Sequence, residues 1–498
     1  MRSQRTDLLI IVIGRTLQVA YGVAAMRGVT AVLGPDEIGR RDLVLSVTSW
    51  FALLLISPVG NYLNRQAIEW HLEGRLLESV RRFSMFLGGV ALVGAVVVSV
   101  LHFTSGIGTP MGLAWLLWLV SGSLLVGTLT NQLNGLLNII GFRGWYVLLV
   151  NAMSWLGLGL SVALSVRRGK DAESWLSGAL LAQLLVLGGS MIVLRRVGRA
   201  PTGEVLESPR AAGFDVRSVF QFSWPLIITT GFYWAQTSGY RFILAELTDV
   251  RTIGLLTIGL AIATAPLAMF DTLFTEYYRP IFYRDIKFST PNQKAQAWGR
   301  YASAYFPAIL LMAALVVLSG PYLSRVLVSD AFQSVAWLAL WGALIQSALM
   351  VYATYVSLSF ASLDTRALIR PNILGAAAAL SLTFLLARRM PLLGTAIALT
   401  VGMVVTMLDA AVRLGRDFPH ALPWRRLKLA ALMAVPLAAA LWGLRYVWPT
   451  PNELEAIVAL GGGGAYVIGA QLLLARDWLL GSSEGRLRAC AARAEVDL

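Results

Sequence analysis

Three arginines stand inside otherwise apolar stretches of the chain: Arg15, Arg27 and Arg241. A guanidinium held at membrane depth and facing a polar cavity can bind a phosphate through paired charge-assisted hydrogen bonds. The same long side chain can instead lie along lipid and lift its head to the interface. At 1.5 Å per residue, Arg27 and Arg241 lie about 9 Å or less from the ends of their segments, so snorkelling is open to both. Arg15 lies about 10 Å in, with Gln18 one turn further on and Gly22 beyond it, a polar and small stripe that predicts a cavity face.

Amides, aromatics and two carboxylates extend this set. The stretch "TLTNQLNG" carries Asn131, Gln132 and Asn134, and "FYWAQTSGYR" carries Tyr233, Trp234, Gln236 and Tyr240. Asn131 and Asn134, with Gln18, Tyr233 and Gln236, offer hydrogen bonds to sugar hydroxyls and a ring to stack on a sugar face. Their alternative use is to join helix to helix. Asp271 and Asp409 lie deep in apolar stretches, where a carboxylate serves as counter-ion to an arginine or carries a proton or Na+ in a coupled cycle.

The chain is poor in material for bond-making chemistry. Its histidines, His71, His102 and His420, are scattered, and its one cysteine, Cys490, sits near the C-terminus. These exclude a cysteine-built zinc cluster and an intramolecular disulfide, and leave a Ser-His-Asp arrangement almost nothing to work with. No catalytic residue, metal site or cofactor is expected, apart from H+ or Na+ coupling. The run "GGGGAY", Gly461 to Tyr466, lacks the Lys-Ser/Thr of a phosphate loop and reads as helix packing.

What must position these residues is a membrane-embedded bundle. Of 498 residues, 57% are hydrophobic and 14% charged, with a mean hydropathy of +0.68, against the roughly 25% charge of a soluble domain. Apolar segments of about 18 to 25 residues recur along the whole length and predict an all-α polytopic protein of about fourteen transmembrane helices. The first is read as a retained span, since it carries Arg15 and Arg27 and no small-residue cleavage site. The second is expected over 43–60 and the eighth over 253–274. The net charge of +14 follows from basic loops: roughly 28 of the 41 Lys and Arg fall in connections on one side, which places that side and both termini in the cytoplasm. Nucleic acid is not an expected partner. Connections on the other side run to roughly 4 to 12 residues, too short for a folded domain.

Two phrases echo one another. "AMRGVTAVLGPDEIGRRDL" contains Arg27, Leu33 and Ile38-Gly39, and "GYRFILAELTDVRTIGLLT" repeats the order with Arg241, Leu247 and Ile253-Gly254. Each phrase closes the first helix of a six-helix half. The expected organisation is therefore an N-terminal lobe over 1–197 (helices 1–6), a cytoplasmic linker over 198–217, a C-terminal lobe over 218–416 (helices 7–12), and two further helices with a cytoplasmic tail over 417–498. Pseudo-two-fold symmetry would relate the lobes, with a site between them.

These phrases, with "FSWPL" opening the seventh span, resemble the polysaccharide-transport branch of the multidrug/oligosaccharidyl-lipid/polysaccharide exporter superfamily, the Wzx-type flippases. The resemblance implies an inner-membrane transporter, not an enzyme, that flips undecaprenyl-pyrophosphate-linked oligosaccharide repeat units for exopolysaccharide, capsule or O-antigen synthesis. It also implies the lipid bilayer as setting, and a polysaccharide polymerase and chain-length regulator as partners. The arginines of the lipid II flippases' early motifs are missing. The first helix holds Arg15 and Arg27 where the drug-exporting branch has acids, and both departures favour an anionic substrate. The alternatives are an ion-coupled drug or small-molecule antiporter of the same fold and, with only Asp36 and Glu37 to suggest it, a membrane polymerase or glycosyltransferase.

Overall fold

In the computed structural model the described residues are 4–105, 111–197, 216–286, 291–361, 365–417 and 422–496, and the linker expected over 198–217 falls almost entirely outside them. Among the described residues every regular element is helical. A backbone in hydrocarbon must satisfy its own N–H and C=O groups, and a helix does so within one segment. Among the described residues twelve helices are long and apolar enough to cross a membrane: the second to sixth over Pro35–Leu72, Leu76–Thr104, Leu113–Ile139, Arg143–Arg168 and Ala172–Val197, and the eighth to fourteenth over Val250–Tyr283, Gln293–Leu318, Asp330–Phe360, Arg366–Leu386, Pro391–Arg416, Trp424–Val447 and Glu453–Leu474. With Gln4–Val32 and the helical run 216–247, helices stand at all fourteen expected positions. The chain is a multi-pass membrane protein.

The helices overrun the predicted spans. The second extends over Pro35–Leu72 and the eighth over Val250–Tyr283. Their charged ends continue the i to i+4 ladder until something stops it. For the second helix the stop is Gly74, whose φ of 71° closes the last turn while Arg75 N–H bonds back to the Trp70 carbonyl at 2.8 Å. Gly141, with φ of 93°, ends the fourth helix in the same way. Starts are equally local: Gly34 is extended, Pro35 takes the first helical position and Asp36 and Glu37 occupy the first turn, where acids meet the positive end of the dipole. At the start of the eighth helix the Thr252 hydroxyl, and then its N–H at 2.7 Å, bond to Asp249 and hold its carboxyl below the usual carboxylate range.

Among the described residues three helices contain a π-helical turn that hydropathy does not reveal: Ala52–Ile56 in the second, Ser123–Gly127 in the fourth and Ala235–Gly239 in the seventh, which runs over 216–247. Such turns hold an extra residue and recur at functional sites. The one in the fourth helix follows Gly122, which receives the Leu180 side chain, and ends on Gly127, which receives Gln183, both from the sixth helix.

Two compact units make up the chain. The first comprises Met1–Ile258, Leu327–Phe332 and Leu368–Gly402, and the second Gly259–Val326, Gln333–Ala367 and Met403–Leu498. Inside the first, Leu63, Phe83, Leu87, Leu124 and Leu133 interlock helices two, three and four with no exposure. The fifth and sixth helices approach until Gly178 lies on the backbone of Ser161, whose hydroxyl donates to the Trp175 carbonyl at 2.7 Å. Inside the second, Gly342 of the tenth helix sits on the Leu260 carbonyl of the eighth. In the glycine run it is Gly463 that packs, against Leu315 and Leu437, while Gly461, Gly462 and Gly464 face open space. Small residues at crossings are how membrane helices gain dispersion contact.

Gly178→Leu should therefore force the fifth and sixth helices apart, at a cost of about 1–3 kcal/mol for overpacking. Gly188, where an added side chain would meet open space, is the control. Thermal unfolding of the purified protein in detergent should show a lowered midpoint for Gly178→Leu and little change for Gly188→Leu.

Candidate functional site

The repeated phrase meets its own copy in the fold. A Cβ placed on Gly39 would collide with the Val250 carbonyl oxygen, and a Cβ placed on Gly254 would collide with the Pro35 carbonyl oxygen. The same spacing separates Pro35 from Gly39 and Val250 from Gly254, so the contact is reciprocal. Each half-repeat offers a glycine to the other's helix start and a carbonyl to the other's glycine. Such approaches let Cα–H groups meet carbonyl oxygens. Ile38 and Ile253, beside the two glycines, are both fully buried.

The aligned arginines sit close to this junction in sequence but take different partners. Arg27, half-buried, donates from Nη1 to the Val328 carbonyl. One turn on, Thr30 binds the same segment twice: Ser329 N–H donates to its hydroxyl at 3.1 Å and Ser329 Oγ donates to its carbonyl at 2.5 Å. Arg241, also half-buried, donates from Nη1 to Ser46 Oγ on the second helix at 2.9 Å. Ser46 in turn donates to the carbonyl of Asp42, whose buried carboxylate attracts Arg241 while it pairs with Arg41 at 2.7 Å. The Arg241 guanidinium also lies 5.4 Å from the centre of the Tyr240 ring, and its Nε is buried without a hydrogen-bond partner.

Arg241 belongs to a longer seam between two antiparallel helices. Trp234 Nε1 donates to the Ser46 carbonyl and to Ser49 Oγ, both at 3.0 Å, and Thr230 Oγ1 donates to the Leu53 carbonyl at 3.0 Å. Leu53 lies in the π turn of the second helix, and the π turn of the seventh separates Trp234 from Arg241. Sequence reasoning missed Asp42, Ser46 and Ser49. Their spacing of four and three, polar on one face of an apolar helix, was the available signal.

Arg15 donates from Nη1 to Gln18 Oε1 at 2.6 Å, and the two are half-buried neighbours as their spacing predicts. The amides of the fourth helix divide. Asn131 is exposed, whereas Asn134 is buried and accepts the Ser190 hydroxyl at 2.7 Å. Gln132 between them donates to Asn64 Oδ1 at 2.6 Å. Tyr233 is half-buried and Gln236 buried, both on the helix that carries Arg241. In the second unit Asp271 accepts a hydrogen bond from the Tyr305 hydroxyl. Beside it runs a stack of rings: Phe274 lies 4.1 Å from Tyr278 and 4.5 Å from Tyr305, which lies 5.6 Å from Tyr301. Asp409 is half-buried on the twelfth helix. Among the described residues no group of three or more His, Cys, Asp or Glu is placed to hold a metal ion.

Alanine at Gly39 or Gly254 should prise the two helix starts apart. In a chain carrying Ile38→Cys and Cys490→Ser, either change should raise labelling by a membrane-impermeant maleimide. Equal labelling with and without the alanine would show that the contact is not tight.

No sequence-family model matches the chain, and no curated protein sequence does. Solved structures do resemble it. The lipid II flippase MurJ, in an inward closed conformation, is 11% identical with a TM-score of 0.58, over 96% of this chain and 100% of that one. A MOP-superfamily transporter from Pyrococcus furiosus is 12% identical with a TM-score of 0.57, over 82% of this chain and 94% of that one. A mutant of the Vibrio cholerae MATE transporter VcmN is 13% identical with a TM-score of 0.56, over 82% and 95%. At these identities the likeness concerns architecture, and the chain has the fold of MOP-superfamily transporters.

Proposed function

We propose that the protein is a transporter that flips polyprenyl-pyrophosphate-linked oligosaccharides across the bacterial inner membrane, with both termini in the cytoplasm. The observation that carries this reading is Arg241: a half-buried cation in an apolar helix whose Nε has no hydrogen-bond partner within the protein. An orphaned buried donor costs free energy until an acceptor arrives. A phosphate oxygen is the acceptor that suits a guanidinium best. The fold likeness to a protein named as a lipid II flippase supports a lipid-linked substrate. The arginines in the first helix, where an acid would suit a cationic drug, support an anionic one.

In this reading Arg15 and Arg241 take the pyrophosphate. Arg27, bonded to the Val328 carbonyl, holds the first helix in place and joins the set when that bond opens. Gln18, Asn131, Tyr233 and Gln236 meet the sugars, and Asn134, enclosed with Ser190, braces the helix from which Asn131 projects. The two six-helix lobes rock about the central site while the polyprenyl tail stays in lipid. The reciprocal glycine junction closes the extracytoplasmic end in one of the two states. Polymerase and chain-length regulator act on the product that this step delivers.

Arg241→Gln should lose one charge-assisted phosphate contact, about 1.5–3 kcal/mol or roughly 10- to 150-fold in transport. Arg241→Lys should recover part of it. The measurement is delivery of lipid-linked oligosaccharide in proteoliposomes at matched protein levels, with Arg15→Gln alongside. If the triple variant, with Arg27→Gln added, transports at the wild-type rate, a cationic substrate site is ruled out.

A second reading, an ion-coupled small-molecule antiporter, draws on Asp271 and its bond to Tyr305. It expects Asp271→Asn to abolish the dependence of transport on a proton or Na+ gradient, and Tyr305→Phe to weaken it. Full transport with unaltered gradient dependence in both variants would leave Asp271 a structural acceptor.

A further inference from the structure

A cavity of about 130 Å³ lies inside the first unit, between the second, third and fourth helices and the start of the eighth. Val44, Val47, Val98 and Val120 line it with other apolar side chains, Val250 forms one wall, and Arg40 stands at its edge. Its lining offers water almost nothing to bond to, and a water molecule needs two to four polar partners to stay. An engineered apolar cavity of roughly 150 Å³ stays dry and takes benzene, so this one has room for about six carbons. Hydrocarbon is therefore the chemistry it suits.

We infer that the cavity seats part of one acyl chain of a bilayer phospholipid. The side chain of Arg40 is 37% exposed and shared with Glu37, so it stands within reach of water and of a headgroup phosphate. A basic residue beside an apolar slot is the arrangement that anionic lipids favour. Bilayer phospholipid is also the hydrocarbon always present around a membrane-spanning chain.

The location gives the lipid a consequence. Val250 is both a wall of the cavity and the residue whose carbonyl meets the Cα of Gly39. When the first turn of the eighth helix leaves Gly39, a wall of the cavity leaves with it. A chain seated there binds the joined state and not the parted one, and so shifts the population toward the joined state by that difference in affinity. The bilayer thus acts as an effector of the junction, whatever the transported substrate is.

The test uses the full-length protein in nanodiscs containing phosphatidylglycerol with a diazirine midway along one acyl chain. After irradiation, mass spectrometry should find adducts on the peptides bearing Val44 and Val47 and on the peptide bearing Val120. Val47→Trp fills the cavity and should abolish these adducts while lipid adducts on other helices persist; Val120→Trp, from another wall, should do the same. With Ile38→Cys and Cys490→Ser, added phosphatidylglycerol should lower maleimide labelling, and should lose that effect when Val47→Trp is also present. Adducts that survive both tryptophans would overturn the inference. So would adducts that form with a diazirine-bearing polyprenyl phosphate but not with phosphatidylglycerol, which would give the cavity to transported lipid. Labelling of Ile38→Cys that ignores added phospholipid would remove the link to the junction.

Discussion

Two hydrogens hold the place where the half-repeats meet. At Gly39 and Gly254 a carbonyl of the opposite helix comes so near that only a residue without a side chain fits. Because each repeat supplies both the glycine and the carbonyl, the pairing is self-complementary in the way of an isologous contact between identical subunits. Much else follows from this closeness. It sets the distance between the second and eighth helices at one end and buries Ile38 and Ile253. It also fixes Val250 as a wall of the apolar cavity. The arginines that made the repeat visible are secondary to it, since one bonds to a carbonyl after the ninth helix and the other to a serine of the second.

Polar groups elsewhere are placed by the scarcity of water. Serine and threonine hydroxyls inside the helices mostly donate to a carbonyl one turn back, as Thr229, Thr237, Thr275 and Ser357 do. A few polar groups also reach across to another helix, and they gather where helices cross: Thr230 to Leu53 and Ser190 to Asn134, each beside its bond one turn back, and the Trp234 indole to Ser46 and Ser49. These crossings use side chains that a composition count treats as minor. In hydrocarbon the indole discriminates between alternative helix registers, since a slipped register would leave the Trp234 N–H without its acceptors on the second helix.

The fourteen helices were legible because hydropathy over 20 residues reports the thickness of a bilayer, and the Arg15–Gln18 neighbourhood because it depends on helical spacing alone. The two echoing phrases were visible in the sequence, yet their contact in the fold is made by Gly39 and Gly254 rather than by Arg27 and Arg241. A glycine's role depends on what approaches it, which a single sequence does not display. For the same reason Asn131 and Asn134, alike in sequence, part company in burial. The Asp42–Ser46–Ser49 face was readable in principle, but its partner, Trp234, lies nearly two hundred residues away. The helix ends overran the spans because charged turns beyond the bilayer continue a helix at little cost until a glycine such as Gly74 ends it.

The π turns carry a consequence for angular phase. One residue more or less rotates everything downstream by about 100° around the helix axis. Trp234 and Arg241, seven residues apart, would share a face of a regular helix; the extra residue within Ala235–Gly239 shifts one against the other, and both still bond to the second helix, at Ser46 and Ser49. A single inserted residue can thus re-aim a cation inside a membrane while leaving the length, hydropathy and composition of its helix almost unchanged.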